Sequence, residues 1–403
     1  MKLFNVTDYG AVADGKTVCT EPIQRAIDLC CEGGRVVIPK GTFRSGALYL
    51  KSNMTLYLEA GARLLGSDNT EDFPLRGYSF EGYDQICYAS LLNTDGAPCR
   101  NITIDGSGTI DANGEKLFAA EMSENKGKRG RAVCIRNTEN VTIKNVTIRQ
   151  SPAWGMHLIY CVNVLIDGVN VHTKYDENGR RYEGIFNGDG IDIDSCTDVK
   201  ITNSLIASQD DCIAIKSGRD AVGRRVNIPS SNITVENCTF KSGFGVVMGS
   251  EMSGGVKDVY VRNCKFHDTH SIASVKVSRG RGSYIKNIHY ENCTLENLNP
   301  EHGDTEWFRG ALYIDGFYGS VKFDPDTPVA IDETTPMIED IYFKDITLTT
   351  KAGNAIYLYG LPERHFRNIH MENIKAHGRY GMKVKNIDNL QITNVEVTYD
   401  EED

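Results

Sequence analysis

The chain has 403 residues, with hydrophobic residues at 40% and charged residues at 24%, which are ordinary values for a globular protein and exclude wholesale disorder. A formal net charge of −10 argues against nucleic acid as the main partner, because phosphate binding needs a basic face. No apolar run approaches the roughly 18 to 20 residues that span a bilayer, and 39 glycines against 11 prolines imply many tight turns rather than long helices.

The N-terminal MKLFNVTDYG has no apolar h-region, so the sequence is expected to carry no secretory signal and to act in the cytoplasm. The 12 cysteines are then expected to be reduced thiols. The first element is a helix predicted over about 20–32. It has Thr20 as cap, Pro22 in the first turn and Gly33-Gly34 as the stop. From residue 101 a repeat takes over: Asn or Asp, aliphatic, any, apolar, any, then usually Asn or Asp. It starts at Asn101, Asn140, Asn163, Asp198, Asn232, Asp258, Asn287, Asp340, Asn368 and Asn389. The nine intervals average 32 residues. Apolar residues alternate within each unit, which is strand periodicity. Each unit therefore reads as two short strands hinged at the second Asn or Asp, a residue type that tolerates left-handed backbone.

A unit this small cannot bury its apolar face alone, so the units must stack. Parallel strands without intervening helices point to an all-β parallel β-helix of about ten coils, in one domain over 1–403. The predicted helix is expected to plug its N-terminal end, and the acidic tail 399–403 to fray. The segment 112–131 breaks the repeat and is expected to be a groove wall, a lid or a surface insertion. Trp154 and His157, in SPAWGMHLIY, read equally as a sugar-stacking platform or as rung packing. Cys238, Cys264 and Cys293 share one place in consecutive units, as do Asn237, Asn263 and Asn292. Stacking would make these a thiol ladder and an amide ladder. The cysteines have no CxxC grouping, so they read as small buried hydrophobes rather than metal ligands.

The densest acidic stretch is NGDGIDID, with Asp189, followed by SQDD, with Asp210 and Asp211. Asp189 and Asp210 are 21 residues apart, about one short coil. Residues one coil apart on one face are neighbours at about 4.8 Å. Clustered carboxylates are what glycosidic hydrolysis needs, with one acid protonating the leaving oxygen and a base activating water. Acidic turns that solvate rungs or hold Ca²⁺ are the competing reading. Arg180-Arg181, Arg219, Arg224-Arg225, Arg279 and Arg281 occupy the same stretch of chain and would favour an anionic ligand.

In this order NGDGIDIDSC, SQDDCIAIKSG, GRRVNIPSSNITVENC, GFGVVMGSEMSGGV and VKVSRGRG resemble the polygalacturonase family, glycoside hydrolase family 28. YGAVADGKT, PKGTF and EAGARLLGS are similar to its bacterial exo-acting branch. The resemblance implies a right-handed parallel β-helix, inversion at the anomeric carbon, no cofactor and no bound metal. Carried over by motif, Asp210 would be the general acid, with Asp189 and Asp211 holding and deprotonating the water. Lys216, Glu251, Arg219, Arg279, Arg281, Lys276, Phe244, Trp154 and His157 would contact a galacturonate-containing pectic oligosaccharide.

Two positions depart from the family. Its Gly-His-Gly is Gly243-Phe244-Gly245 here, and its Arg-Ile-Lys is Ser274-Val275-Lys276. In polygalacturonases that Arg and Lys bind the carboxylate of the leaving-group sugar. Lys alone does not reproduce a bidentate guanidinium grip, and an aromatic face suits a less polar ring. The expected leaving-group sugar is therefore rhamnose-like, as in a rhamnogalacturonan galacturonohydrolase. An ordinary exo-polygalacturonase, a Ca²⁺-dependent pectate-lyase-like enzyme and a non-catalytic carbohydrate-binding β-helix are the alternatives.

Overall fold

In the computed structural model, residues 2–124, 126–301, 308–319 and 323–402 are described. The chain divides into two compact units, one of Met1–Phe80, Asp84–Asp192 and Cys196–Asp210, the other of Glu81–Tyr83, Ile193–Ser195 and Asp211–Asp403.

In the first unit one row of parallel strands runs through Gly34–Ile38, Met54–Leu58, Cys99–Gly106, Thr138–Lys144, Val162–Asp167 and Thr197–Thr202. Its register stacks Met54, Ile102, Val141, Val164 and Val199, and beside them Leu56, Ile104, Ile143, Ile166 and Ile201. All ten side chains are buried. A second row, Ala62–Gly66, Thr109–Asp111, Thr147–Arg149, Asn170–His172 and Leu205–Ala207, stacks Leu64, Ile110, Ile148, Val171 and Ile206. A third row, Leu48–Tyr49, Leu92–Asn93, Val133–Arg136 and Met156–Ile159, is also parallel. The second unit repeats the pattern. Ser230–Glu236, Val256–Arg262, Tyr284–Asn297, Met337–Thr350, Phe366–Gly378 and Ile387–Tyr399 form one row. Ile213–Lys216, Val246–Gly249, Ala273–Lys276, Gly310–Asp315, Asn354–Tyr359 and Tyr380–Lys385 form another. These are the coils of a parallel β-helix, as the repeat predicts.

The corners carry the repeat's polar residues. Asn101, Asn140 and Asn163 lie at φ 55°, 59° and 56°, in the left-handed region. The second Asn of a unit does the same, as at Asn145 (62°) and Asn292 (50°), so both ends of the repeat turn the chain, not the second alone. Each corner amide donates to the coil before it: Asn140 to Asn101 at 2.9 Å, Asn163 to Asn140 at 2.6 Å, Asn292 to Asn263 at 2.8 Å, and Asn394 to Asn373 at 2.9 Å. Of the expected ladder the Asn292–Asn263 step is formed, and a further amide ladder runs through Asn101, Asn140 and Asn163 at the other corner. Cys238, Cys264 and Cys293 are free and buried. The Cys264 thiol is drawn down by its contact with Cys238, but Cys293 and burial outweigh this and push it up to about 12. Among the described residues no group of three or more His, Cys, Asp or Glu is arranged to hold a metal.

The predicted helix exists as α1, Thr20–Leu29, shorter than 20–32. It buries Ile23, Ala26 and Ile27. Cys19 occupies the cap position without a side-chain cap, and Thr20 instead accepts from the backbone N–H of Gly46 at 2.7 Å. Gly34 is not the helix stop but a strand residue at a close approach: a Cβ there would sit 2.7 Å from the Cys30 sulfur. The repeat-breaking segment contains a second helix, α2 (Glu115–Glu124). The C-terminal strand continues through Tyr399, and Glu401 is tied back by Arg379 at 3.1 Å, so the expected fraying does not begin at 399. Asp403 lies outside the described residues.

The corner geometry sets a test. Asn140→Val puts a β-branched residue at positive φ, costing about 1–2 kcal/mol, and removes the two ladder bonds of Asn140, to Asn101 and from Asn163, each worth about 1 kcal/mol. Asn140→Gly should lose only the amide share. Urea denaturation of both variants checks the difference, and equal losses would contradict it.

Candidate active site

Asp189 and Asp210 belong to the first unit. The loop of Asp210 is clamped to the loop of Asp189. The backbone N–H groups of Gln209 and Asp210 both donate to the Gly188 carbonyl, at 3.0 and 3.2 Å. The Gln209 side chain returns the bond, accepting from the Gly188 N–H at 3.0 Å. Ser208 closes its own turn by donating to the Asp210 carbonyl at 2.7 Å. The one-coil spacing therefore does what the sequence predicts for this pair, setting Asp210 beside the residue that precedes Asp189. Asp189 is buried and Asp210 half-exposed.

The repeat-breaking segment supports this loop from inside. Arg129 is only 1% exposed. It pairs with buried Glu121 at 2.7 Å, donates to the Phe186 carbonyl at 3.0 Å and to the Asn187 side chain at 2.9 Å. Its guanidinium also lies 4.6 Å from the Phe186 ring centroid. Burial would raise the Glu121 carboxyl, but the Arg129 N–H, the Arg129 charge and Lys128 hold it below its usual range. Segment 112–131 is thus a buttress that fixes Asn187, two residues before Asp189, and not merely a surface insertion.

Trp154 and His157 settle as packing in the same unit. Trp154 is 2% exposed, stacked on Phe80 at 5.2 Å between centroids, with the Arg131 guanidinium 4.6 Å from its ring. His157 is buried edge-on against it at 4.9 Å. The platform reading is corrected: the indole is already occupied by Phe80 and Arg131.

In the second unit, Asp211 and Lys276 form a buried ion pair. The ammonium donates to both carboxylate oxygens, at 3.0 and 2.7 Å. Aromatic rings surround the lysine: its Nζ lies 4.9 Å from the Phe308 centroid and 5.0 Å from that of Tyr318. Phe308 stacks on Phe244, with centroids 3.5 Å apart, and Phe244 stacks on His270 at 4.9 Å. Phe244 is held by glycines on both sides. Gly245 (φ 70°) would bring a Cβ within 2.3 Å of the Ser271 carbonyl, so only glycine fits there. Ser274 is fully buried and hydrogen-bonded to Ser271 at 2.8 Å. It offers the cleft no side chain.

The expected substrate arginines are committed within the second unit. Arg279 grips Glu363 at 2.6 and 2.7 Å. Arg281 donates to Asp220 at 2.6 Å and to the Ser250 carbonyl at 2.8 Å. Arg219 lies 3.7 Å from both Glu81 and Asp220. Tyr83 donates to Asp220 at 2.6 Å, which pushes the phenol up, while Asp220, which burial would raise, is held low by Tyr83 and Arg281. Gly82 (φ 76°) packs on this network, since a Cβ would sit 2.5 Å from the Arg219 Cβ. Arg279, Arg281 and Arg219 thus brace the site rather than offer free guanidiniums. Lys216 and Glu251 are buried and 3.8 Å apart. Burial would raise the Glu251 carboxyl, but Lys216, Arg281 and Lys276 together hold it below its ordinary range.

Sequence reasoning missed Phe308, Tyr318, Asp220, Tyr83 and Arg129. None sits in the repeat, and each has a partner far along the chain, as Arg129 has Asn187 at 58 residues besides Glu121 at eight. Tyr83 and Asp220 are 137 residues apart. No local pattern marks such pairs.

The model of glycosyl hydrolases family 28 matches residues 33–398. The chain belongs to this family and is a glycoside hydrolase with the fold of a right-handed parallel β-helix. It is 30% identical over 389 residues to a probable polygalacturonase of Vitis vinifera, covering 93% of this chain and 74% of the relative. It is 30% identical over 344 residues to an exo-poly-alpha-D-galacturonosidase of Dickeya chrysanthemi, covering 74% of this chain and 56% of that one. Among solved structures, the Thermotoga maritima exopolygalacturonase superposes with a TM-score of 0.81 at 25% identity, covering 98% of this chain and 92% of that one.

Two outcomes follow from the braces. Arg129→Met leaves Glu121 with Lys128 as its remaining ion-pair partner and should cost about 1.5–3 kcal/mol for the lost charged hydrogen bond, and Glu121→Leu added to it should recover most of that loss. Urea unfolding of the single and double variants decides. Glu251 has a depressed folded pKa, so its stabilisation is complete above the unfolded value of about 4.3 and fades as pH falls through the folded value. Thermal midpoints of wild type and Glu251→Gln should therefore converge below about pH 4. A gap that stays constant from pH 7 to pH 3 would contradict this assignment.

Proposed function

We propose that this protein is an inverting, exo-acting hydrolase that releases galacturonate from pectic oligosaccharides whose leaving-group sugar is neutral, as rhamnose is. Asp210 donates a proton to the leaving glycosidic oxygen, and Asp189 and Asp211 hold and deprotonate the attacking water. Its motifs and the names of its relatives support galacturonate release. Exo action and a cytoplasmic address fit each other, since short oligosaccharides and not polymeric pectin would be the substrate. The proposed reaction uses no cofactor.

The observation that carries the neutral leaving group is the surroundings of Lys276. Where the family holds a sugar carboxylate with Arg and Lys, this chain has a buried Ser274, and Lys276 is engaged by Asp211 at 2.7 Å. Phe244, Phe308 and Tyr318 line the lysine's side instead. Phe244 and Phe308 are stacked on each other and form an apolar backing, Tyr318 is the partly exposed ring of the set, and such a lining offers a carboxylate no donor. A charged ring there would lose a bidentate contact worth about 1.5–3 kcal/mol, or roughly one to two orders of magnitude in kcat/KM.

The deciding experiment is a panel of galacturonosyl-rhamnose oligomers and galacturonate oligomers, with products separated by chromatography. The expected result is faster release from the rhamnose-bearing series by at least about tenfold. Faster hydrolysis of the pure galacturonate dimer would instead mark an ordinary exo-polygalacturonase. Unsaturated, ultraviolet-absorbing products dependent on Ca²⁺ would mark a lyase. Proton NMR of fresh product should show the inverted anomer. Asp210→Asn should lower turnover by several orders of magnitude with the fold intact, and persistent activity would remove Asp210 from its role.

A further inference from the structure

The first unit carries a second cavity, of about 460 Å³, lined by Tyr49, Arg76, Gly77, Tyr78, Asp95 and Arg136. That volume lies within the range of about 300–1,000 Å³ typical of small-molecule sites. Its floor comes from consecutive coils. Tyr49, Asn93 and Cys134 are in register on the third strand row, and Arg136 ends the strand that Cys134 belongs to. Its wall is the strand Leu75–Phe80, which brings Arg76, Gly77 and Tyr78. Further along that strand, Phe80 turns away onto Trp154.

The position is remote from the acidic loops. On the same row Cys134 is in register with His157, and the neighbouring Met156 donates to the Gly190 carbonyl. Four steps of about 4.8 Å separate the Tyr49 rung from Gly190, or roughly 19 Å. This is the length of several sugar rings and separates the cavity from the acidic loops.

Its chemistry is specific. Arg136 is pinned: it donates to the Gly77 carbonyl at 3.0 Å, and its guanidinium lies 5.0 Å from the Tyr78 centroid. Arg76 is exposed and has no ion pair among the described residues. Asp95 spends one oxygen on the Ala97 N–H at 2.9 Å. Arg219, Arg279 and Arg281, which the sequence marks for an anionic ligand, are each set against carboxylates. Among the described residues, the charges of Arg76 and Arg136 face no carboxylate within ion-pair distance. Tyrosine rings, two guanidiniums and one carboxylate are the groups that bind a carboxylated sugar: ring on aromatic face, carboxylate on arginine, hydroxyls on aspartate.

We propose that this cavity is a second carbohydrate site that binds a uronate residue, separate from the site of hydrolysis. The choice of a uronate rests on the substrate reading given above. Such a site would hold product or a further chain segment near the enzyme and raise its local concentration.

The test uses full-length Asp210→Asn protein, which should bind without hydrolysing, titrated calorimetrically with a galacturonosyl-rhamnosyl-galacturonate trisaccharide, which satisfies both sites. The expected stoichiometry is two. Arg76→Ala, a change at an exposed side chain, should weaken one site by roughly tenfold or more, and Arg76→Lys should restore part of it. A neutral galactose trisaccharide should leave that site empty. A stoichiometry of one, two unaltered sites in the Arg76→Ala protein, or equal binding of the neutral trisaccharide would each overturn the proposal. The two readings fail separately. If wild type hydrolyses this trisaccharide but the inactive variant binds only one equivalent, the second site alone falls. If wild type neither binds nor hydrolyses it, both fall.

Discussion

The constraint on which everything else depends is the left-handed corner. Asn and Asp at φ near 55° turn the strand, and their amides bond corner to corner along the coils. A left-handed residue costs an ordinary side chain about 1–2 kcal/mol, so the position selects Asn, Asp or Gly. Once corners stack, register is no longer free. Ile102 must face Val141, and Val141 must face Val164. A slip of one residue would put every buried aliphatic into water.

Fixed register turns sequence spacing into distance, and this is how the acidic loops meet. Residues 21 apart in NGDG and SQDD become hydrogen-bonded neighbours through Gly188 because they occupy adjacent coils. The coils supply position but not rigidity. Rigidity comes from segments that interrupt the repeat. Arg129 ties Asn187 to a buried Glu121, and the turn Glu81–Tyr83 closes on Asp220. The chain thus separates two tasks. Regular coils set the spacing, and irregular insertions hold the acidic loops in place.

Charge follows the same division. The arginines between 180 and 281 look in sequence like a landing site for an anion. In the folded chain Arg219, Arg279 and Arg281 face carboxylates from distant parts of the same unit. A guanidinium already bidentate to Glu363 has little left for substrate. What remains around Lys276 is an aromatic lining, and in the first unit the pair Arg76 and Arg136 lines one cavity with Asp95.

The sequence alone determined the solenoid, two strands of each unit, the corner at the second Asn or Asp and the family motifs with Asp189, Asp210 and Asp211, while the third strand row and the first corner came from the structure. Each of these is written in a local period or a contiguous motif, and backbone physics acts locally. It also announced the buried thiols and the amide ladder, which need only the repeat. What the tertiary structure decided is whatever depends on long-range partners. Thr20 looks like a helix cap until Gly46 takes its oxygen. Trp154 looks like a platform until Phe80 and Arg131 cover it. Phe308 and Tyr318 have no repeat position at all and become part of a site only because they fold over Lys276. Side chains that compete for the same partner are ranked by distance and burial, and neither quantity exists until the chain is closed on itself.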